Sequence, residues 1–283
     1  LHFAISQPIK TLKSIVNLLL KSIFRNQFRK YKEDISSSDI LIADSRKLKL
    51  FYESTTNKKT YYLKLLEKIN KKNIKPKKGL INKDKINFLY FGSVTHYNES
   101  YPELFQILNF ISKTKKVEFI CLTRLIDIKK HINIKNINSL YYEYDFKLLL
   151  EYLEHADIGY APNFLRPRFP FLKKIHDYLN HLLYQFNLYS ITEKNSSNAG
   201  RSYLFSQFGV PFIAHPTREV IVDFSDILIL DFPNNFKEAI WIVNRYLKDN
   251  SYYENISKQL LNKSIKFDLN NEVLNLIDFL EKI

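Results

Sequence analysis

The sequence feature that most constrains the fold is a regular alternation of apolar runs and helix-like stretches between residues 84 and 230. Short apolar runs bounded by turn residues are typical of buried strands, and strands that alternate with helices form parallel sheets. The pattern therefore predicts an α/β domain in which a parallel sheet is flanked by helices. The predicted strands are residues 86–91, 117–122, 137–144, 157–162, 212–214 and 226–230.

Turn residues mark the points where the chain leaves these strands. Residues 92–96 form a predicted turn before a helix over residues 100–112, which has Pro102 in its first turn. Another helix is predicted over residues 145–154. Four of the five glycines, at positions 92, 159, 200 and 209, fall in or beside strand ends and turns. Because glycine is scarce in this chain, its presence there indicates a need for its backbone conformations.

Residues 193–216 are predicted to form a polar loop, a helix, a tight return and a short strand. Lys194, Ser197, Asn198 and Arg201 fall in the loop and the first helical turn. A helix N-terminus has unpaired backbone N–H groups and partial positive charge, so these side chains would complete a phosphate site. The alternative is that Lys194 and Arg201 belong to a solvated helix start in a lysine-rich protein.

Net charge narrows the classes of partner. The 283 residues carry a formal net charge of +14, which suits nucleic acid, an anionic membrane surface or a phosphorylated ligand. There is no zinc-finger spacing and no RNA-binding aromatic motif, and no apolar stretch approaches the roughly 18 residues of a membrane span. The single cysteine, Cys121, excludes an internal disulfide and fits a reducing compartment. Its apolar surroundings predict a buried structural thiol.

The N-terminal part has a different pattern. Residues 11–31 are predicted to form an amphipathic helix, which either rests on a membrane face or packs into a core with snorkelling lysines. Residues 39–43 form a predicted strand, and Asp44 and Ser45 can cap a helix that begins at Arg46.

A lysine-rich and asparagine-rich stretch over residues 60–80 is predicted to be a domain boundary or linker. Because the chain begins at Leu1 and contains no methionine, we expect a fragment or a processed product. The predicted organisation is an N-terminal segment with its linker over 1–80, an α/β domain over 81–245 with an insertion over 164–190, and C-terminal helices over 246–283.

Four motifs follow one another along the chain: LYFGS at 89–93, LEHADIGYAP at 153–162, KNSSNAGR at 194–201, and GVPFIA at 209–214 with REV at 218–220. Together they resemble the C-terminal, nucleotide-sugar-binding domain of the GT-B glycosyltransferases, in particular the large retaining group called family 4. The N-terminal run SDILIADS at 38–45 is similar to the last strand of that family's first domain. The resemblance implies a GT-B fold with a Rossmann-like parallel sheet, preceded by a partial N-terminal α/β domain.

The resemblance also implies a function. A hexosyl-type glycosyltransferase of this family would move a sugar from a nucleoside-diphosphate sugar to a cell-surface glycan or a lipid-linked acceptor. It would act in bacterial polysaccharide or lipopolysaccharide biosynthesis, in the cytoplasm, at the inner face of the membrane with peripheral membrane contact. No cofactor, no metal and no nucleic acid partner are expected.

Roles for individual residues follow from the same resemblance. His96 and Glu193 are the catalytic candidates, although His96 also fits a solvent-facing loop histidine. Arg201 stands where many relatives carry a second glutamate that holds the donor ribose, and Glu193 or Glu219 would substitute for it. Tyr144, Asp145 and Phe146 lie near the expected base, where core packing is the alternative role. The donor-binding candidates are Gly92, Ser93, Arg124, Lys194, Ser197, Asn198, Arg201 and Glu219.

Two other functions stay open from the sequence. A non-catalytic GT-B-like interaction or scaffold module would explain the missing second glutamate and the short N-terminal part. A basic nucleic-acid-binding protein would explain the net charge of +14.

Overall fold

A computed structural model describes residues 37–56, 58–69, 74–162, 199–215, 218–228 and 236–282. The helix predicted over residues 11–31 and the insertion predicted over residues 164–190 lie outside the described residues. The chain divides into two compact units. Among the described residues, the first unit contains 37–64 and 275–282, and the second contains 65–162 and 199–274.

The helices and strands alternate along the second unit as the sequence predicts. The first unit contains β1 (Leu41–Ala43), α1 (Arg46–Thr56) and β2 (Thr60–Tyr62). The next elements are β3 (Lys85–Phe91), α2 (Val94–Ser112), β4 (Lys116–Leu122), β5 (Ile137–Tyr142), α3 (Phe146–His155), β6 (Ile158–Ala161), α4 (Gly200–Gln207), β7 (Phe212–Ala214), α5 (Arg218–Leu228), α6 (Phe236–Lys248), α7 (Asn250–Ser264) and α8 (Leu269–Glu281).

Capping side chains begin several helices where the sequence places them. Ser45 Oγ accepts the Leu48 N–H at 3.3 Å, which confirms the predicted cap of the helix at Arg46. Asp145 Oδ1 accepts the Leu148 N–H at 2.7 Å at the start of α3. These short polar side chains satisfy N–H groups that have no intrahelical acceptor.

The second unit contains a five-stranded sheet with the order β5-β4-β3-β6-β7, and all its neighbouring strands are parallel. The chain starts in the middle at β3, adds β4 and β5 on one side, and then returns to add β6 and β7 on the other. The strand order therefore reverses between β3 and β6. In α/β sheets of this kind, the crevice at the carboxyl ends of such a strand pair is where ligands bind.

Apolar clusters cover both faces of this sheet. Along β3, Leu89 and Phe91 belong to one cluster, and Phe88 and Tyr90 belong to the other. This alternation follows from the two-residue period of a strand. The first cluster includes residues of α3, α4 and α7, and the second includes residues of α2 and α6. The sheet is thus enclosed by helices, as the predicted fold class requires.

The helix after β3 starts earlier than predicted. It begins at Val94 rather than at residue 100, so Pro102 lies in its interior and His96 in its first turn. The prediction placed Pro102 in the first turn of the helix, where a backbone N–H has no intrahelical acceptor and its absence costs no hydrogen bond. The buried face of α2, which includes Leu104 and Ile107, instead holds the helix despite the lost hydrogen bond.

The strand predicted over residues 226–230 is wrong, because Asp226, Ile227 and Leu228 are part of helix α5. A short apolar run has the same composition in a buried strand and in a helix, so periodicity alone does not separate them. In α5, Val220 and Phe224 are buried, and their spacing of four residues is that of one helix face.

Residues 60–80 contain more structure than a linker. They include β2, and Leu66 and Leu80 are buried in the clusters of the second unit. The Lys77 N–H donates to Ser257 Oγ at 2.7 Å, which ties the stretch to α7.

C-terminal helices were predicted over residues 246–283, and α7 and α8 lie in that range, directly after α6. Within the described ranges, none of the helices has the length and apolar character needed to cross a bilayer.

Candidate functional site at the carboxyl edge of the sheet

The carboxyl ends of the strands bring several predicted site residues to one edge of the second unit. Gly92 directly follows β3, Thr123 follows β4, Pro162 follows β6 and His215 follows β7. Gly92 and Pro162 therefore lie at the two strand ends where the strand order reverses. Arg201, from the first turn of α4, reaches the same place.

Gly92 makes a sharp turn at the end of β3. Its φ is +123°, a conformation that favours glycine. Its N–H donates to the Leu122 carbonyl at 3.0 Å, and its own carbonyl accepts the Thr123 hydroxyl at 2.7 Å. A Cβ at this position would lie 3.4 Å from Arg201 Cδ, an ordinary van der Waals contact, so the backbone conformation and not the space favours glycine here. The turn is thus fixed on the β4 side and covered by Arg201.

Ser93 caps the helix that follows. Its side-chain oxygen accepts the Thr95 N–H at 3.3 Å, and its carbonyl accepts the Tyr97 N–H at 3.2 Å. The side chain is exposed. The N-terminus of α2 therefore opens at the carboxyl edge, with the partial positive charge of a helix start.

Arg201 links the two strand ends. Its Nη2 donates to the Pro162 carbonyl at 2.7 Å, while its aliphatic part and Nη1 lie within 3.6 Å of the position that a Gly92 Cβ would take. Burial lowers the pKa of the guanidinium, and the nearby phenols of Tyr90 and Tyr160 partly offset this effect. An arginine remains cationic despite such a shift, because its ordinary pKa is so high. The edge therefore carries a fixed positive charge between β3 and β6.

The other described candidates lie in different environments. His96 is a partly buried residue in the first turn of α2, which corrects the prediction of a loop position. The Arg124 side chain is 71% exposed after β4, and its Nε lies 3.4 Å from Asp127 Oδ2. Glu219 is in the first turn of α5 and is fully buried, which does not favour the ribose contact expected for it. The residues expected near the base have different roles: Asp145 caps α3, whereas the Tyr144 side chain is exposed.

Glu193, Lys194, Ser197 and Asn198 lie outside the described residues. Their assignment to the donor site remains a prediction from the sequence.

A buried polar cluster beside this edge was not predicted. Glu103 Oε1 on α2 accepts the Tyr160 hydroxyl at 2.9 Å and lies 2.8 Å from His215 Nε2. All three side chains are buried. The cluster joins α2, β6 and the start of the β7–α5 connection, and buried polar groups of this kind require such partners. Because Glu103 and His215 are 112 positions apart, no local pattern in the sequence indicated this contact.

Cys121 is buried in β4, as predicted, and burial raises the pKa of its thiol. A buried thiol of this kind is a poor nucleophile. In the part of the chain that the structure describes, no group of three or more histidine, cysteine, aspartate or glutamate residues is arranged to hold a metal ion.

Comparison with known proteins identifies the fold. No family model matches the sequence, and no curated protein matches it. An E. coli trehalose-6-phosphate structure bound with UDP-2-fluoro glucose superposes with a TM-score of 0.57 and 13% identity, covering 92% of this chain and 64% of that one. A UDP-forming alpha,alpha-trehalose-phosphate synthase from Burkholderia vietnamiensis superposes with a TM-score of 0.57 and 9% identity. The match covers 97% of this chain and 67% of that one.

A third similar structure is S. aureus TarM in complex with fondaparinux, alpha-GlcNAc-glycerol and UDP. It gives a TM-score of 0.56 and 9% identity, covering 90% of this chain and 48% of that one. The chain thus spans about two thirds of the E. coli structure and about half of TarM. At these identities the likeness establishes the fold, and the chain has the GT-B fold that the sequence motifs predicted.

Proposed function

We propose that the protein is a glycosyltransferase that uses a nucleoside-diphosphate sugar, and that its second unit binds this donor. The observation that carries the proposal is the meeting of the Gly92 turn, the α2 N-terminus and the Arg201 guanidinium where the strand order reverses. Backbone that can be approached closely, a helix start and a fixed cation are the features that hold phosphate groups. The UDP and UDP-2-fluoro glucose bound in two of the similar structures support the same ligand class.

The chemistry follows from the charge that develops during transfer. When the bond between the sugar and the diphosphate breaks, the departing diphosphate gains negative charge. Positive groups that are already in place stabilise this charge without reorganisation. We assign Arg201 and the α2 N-terminus to the diphosphate, with Gly92 and Ser93 permitting close approach of the backbone. The resemblance to family 4 supports the further assignment of Lys194, Ser197 and Asn198 to the donor, and of Glu193 and His96 to the sugar.

We further propose transfer of a hexosyl group to a cell-surface glycan or lipid-linked acceptor at the inner face of a bacterial membrane. Support for this finer assignment comes from the resemblance to family 4. The acceptor ligands bound in the similar structures are not used in this assignment. No cofactor or metal is part of the proposal.

Isothermal titration calorimetry with UDP and other nucleoside diphosphates tests the donor site. We expect saturable binding by the wild-type chain and a loss of affinity of about tenfold or more in Arg201→Lys, because lysine keeps the charge but not the planar fork of donors. Lys116→Ala is the matched control. It removes one exposed positive charge at the first residue of β4, which is the opposite edge of the same sheet.

Thermal unfolding of each variant without nucleotide shows whether the fold persists. Equal affinities in wild type, Arg201→Lys and Lys116→Ala would remove Arg201 from the site. Absence of binding by the folded wild-type chain at millimolar nucleotide would contradict a donor site and favour the scaffold alternative.

A further inference from the structure

Tyr90 is a buried phenol directly beneath the Gly92 turn. It is the second-last residue of β3 and is fully buried in the cluster that β3 shares with α2. Its hydroxyl donates to the Ser93 carbonyl at 2.6 Å. The same carbonyl accepts the first helical hydrogen bond of α2 from the Tyr97 N–H. One hydroxyl therefore ties the end of the strand to the residue that starts the next helix, across Gly92.

The phenol also faces the other half of the site. Burial raises the pKa of Tyr90, and the Arg201 guanidinium acts in the opposite direction. The Tyr90 ring packs against the ring of Tyr160 with centroids 6.4 Å apart, and Tyr160 lies two residues before the Pro162 carbonyl that Arg201 binds. Tyr90 thus contacts the Ser93 carbonyl through its hydroxyl, and through its ring it contacts β6, the strand that ends just before the carbonyl bound by Arg201.

Packing alone does not require a hydroxyl at this position. Phe88 is on the same strand and in the same buried cluster two residues earlier, and it fills its space without a polar atom. Burying a hydroxyl costs free energy of desolvation unless the hydroxyl is hydrogen-bonded. The hydrogen bond to Ser93 offsets this cost, so the relevant question is which part of the structure it fixes. What this bond holds is the Gly92–Ser93 turn.

We propose that Tyr90 is a positioning residue for the donor site: its hydroxyl fixes the Gly92–Ser93 turn beneath the place where the diphosphate binds, opposite Arg201. This assignment rests on the proposed function, because the turn matters for affinity only if a nucleotide binds there. Tyr90 itself does not contact the ligand. Its effect is transmitted through the Ser93 carbonyl and the geometry of the turn.

Tyr90→Phe removes one hydroxyl and keeps the ring. Tyr253→Phe is the matched control, since Tyr253 is also fully buried and its hydroxyl also donates to a backbone carbonyl at 2.6 Å. That carbonyl belongs to Asp157, just before β6 begins, which is the opposite edge of the sheet. Both variants therefore lose the same kind of bond, at opposite ends of the strands.

The first measurement is amide hydrogen exchange in the absence of nucleotide. We expect Tyr90→Phe to speed exchange of the amides from Gly92 to Tyr97 by about three- to tenfold, the change expected when one net hydrogen bond is lost. Tyr253→Phe should leave those amides unchanged and affect the start of β6 instead. If exchange at the turn is unchanged in Tyr90→Phe, or rises equally in both variants, the positioning role is overturned, whether or not any nucleotide binds.

The second measurement is nucleoside-diphosphate affinity by calorimetry. Tyr90→Phe should weaken binding by about three- to tenfold, and Tyr253→Phe should not. Combining Tyr90→Phe with Arg201→Lys should weaken binding by less than the product of the single effects, since both act on one geometry. A purely structural hydroxyl would lower stability in both tyrosine variants alike and leave affinity intact, and that result overturns the proposal. A wild-type chain that binds no nucleotide overturns the donor site itself, which the exchange data distinguish from a failure of Tyr90.

Discussion

At the scale of single residues, Gly92 and Arg201 are neighbours at the candidate site. The arginine side chain lies against the Gly92 turn, with its Cδ 3.4 Å from the position that a Cβ would take. The sequence indicated both residues, because glycine is scarce and an arginine at a helix start is a phosphate signal. It did not indicate that they would contact each other, since they are more than a hundred positions apart.

Residues whose role lies in one buried polar atom were missed. Tyr90, Glu103 and His215 all lie in or beside apolar runs, where a tyrosine has the pattern of any other aromatic core residue. Periodicity reports which side of an element is buried. It does not report which hydroxyl or carboxylate finds a partner there, because that depends on neighbours far away in the sequence.

Lys77 provides a pH-dependent test at the same scale. Its Nζ donates to the carbonyls of Leu153 at 3.1 Å and Glu154 at 2.6 Å, at the end of helix α3. Burial lowers the pKa of this amine to about 8, against the opposing effect of Asp157. In the unfolded chain the amine stays protonated up to about pH 10.5. Between these values the unfolded chain binds more protons, so raising the pH favours the folded state.

We therefore expect the free energy of unfolding of the wild type to rise, relative to that of Lys77→Met, as the pH increases from about 8 to about 10.5. The relative change should be on the order of 1–3 kcal/mol, which allows for the partial exposure of the amine. Urea denaturation of both chains across this range measures it, and the subtraction cancels other titrating groups. A constant difference across the range would show that the Lys77 pKa is ordinary.

At the scale of elements, the sequence predicted whether a segment is a helix or a strand more accurately than it predicted where the segment begins and ends. Five of the six predicted strands have bounds within two residues of β3, β4, β5, β6 and β7, because turn or polar residues mark where each apolar run begins and ends. The errors fell where local signals conflict. Pro102 suggested a helix start that the buried face of α2 overrides, and the run at residues 226–230 was short enough to belong to either type of element.

The packing of α4 on the sheet depends on a missing side chain in β6. A Cβ at Gly159 would lie 2.5 Å from the ring of Phe205, which is closer than atoms can approach. We expect Gly159→Ala to destabilise the fold by about 1–3 kcal/mol, because either α4 or the ring must move. Chemical denaturation measures this cost.

Phe205→Leu in the same chain is the control for this prediction. It removes the ring that the new methyl group meets, so the double variant should lose less stability than the sum of the two single variants. Additive losses would show that the cost of Gly159→Ala does not come from this contact.

At the scale of the whole molecule, the strand order supports the proposed location of the donor site more directly than any single motif does. The GT-B fold and the reversal between β3 and β6 place Gly92 and Pro162 side by side at the carboxyl edge. The parallel sheet could be predicted from the alternation of elements, but its strand order could not. Which strands become neighbours is decided by how the helices pack on each face, and no local pattern encodes that.

The net charge of +14 limits what charge alone can say about function. Lysines also occur at the opposite, amino edge of the sheet, for example Lys85 and Lys116 at the starts of β3 and β4. A single cation therefore carries little information until its surroundings are known. Arg201 differs because it is partly buried and bonded to a strand end.

The most direct test of the proposed donor site is a crystal structure of the chain with a bound nucleoside diphosphate. We expect the diphosphate at the carboxyl edge between β3 and β6, with phosphate oxygens within about 3 Å of the Arg201 guanidinium and of backbone N–H groups at the start of α2. A diphosphate bound elsewhere on the second unit, or an empty edge in crystals grown at saturating nucleotide, would contradict the assignment of this edge as the donor site.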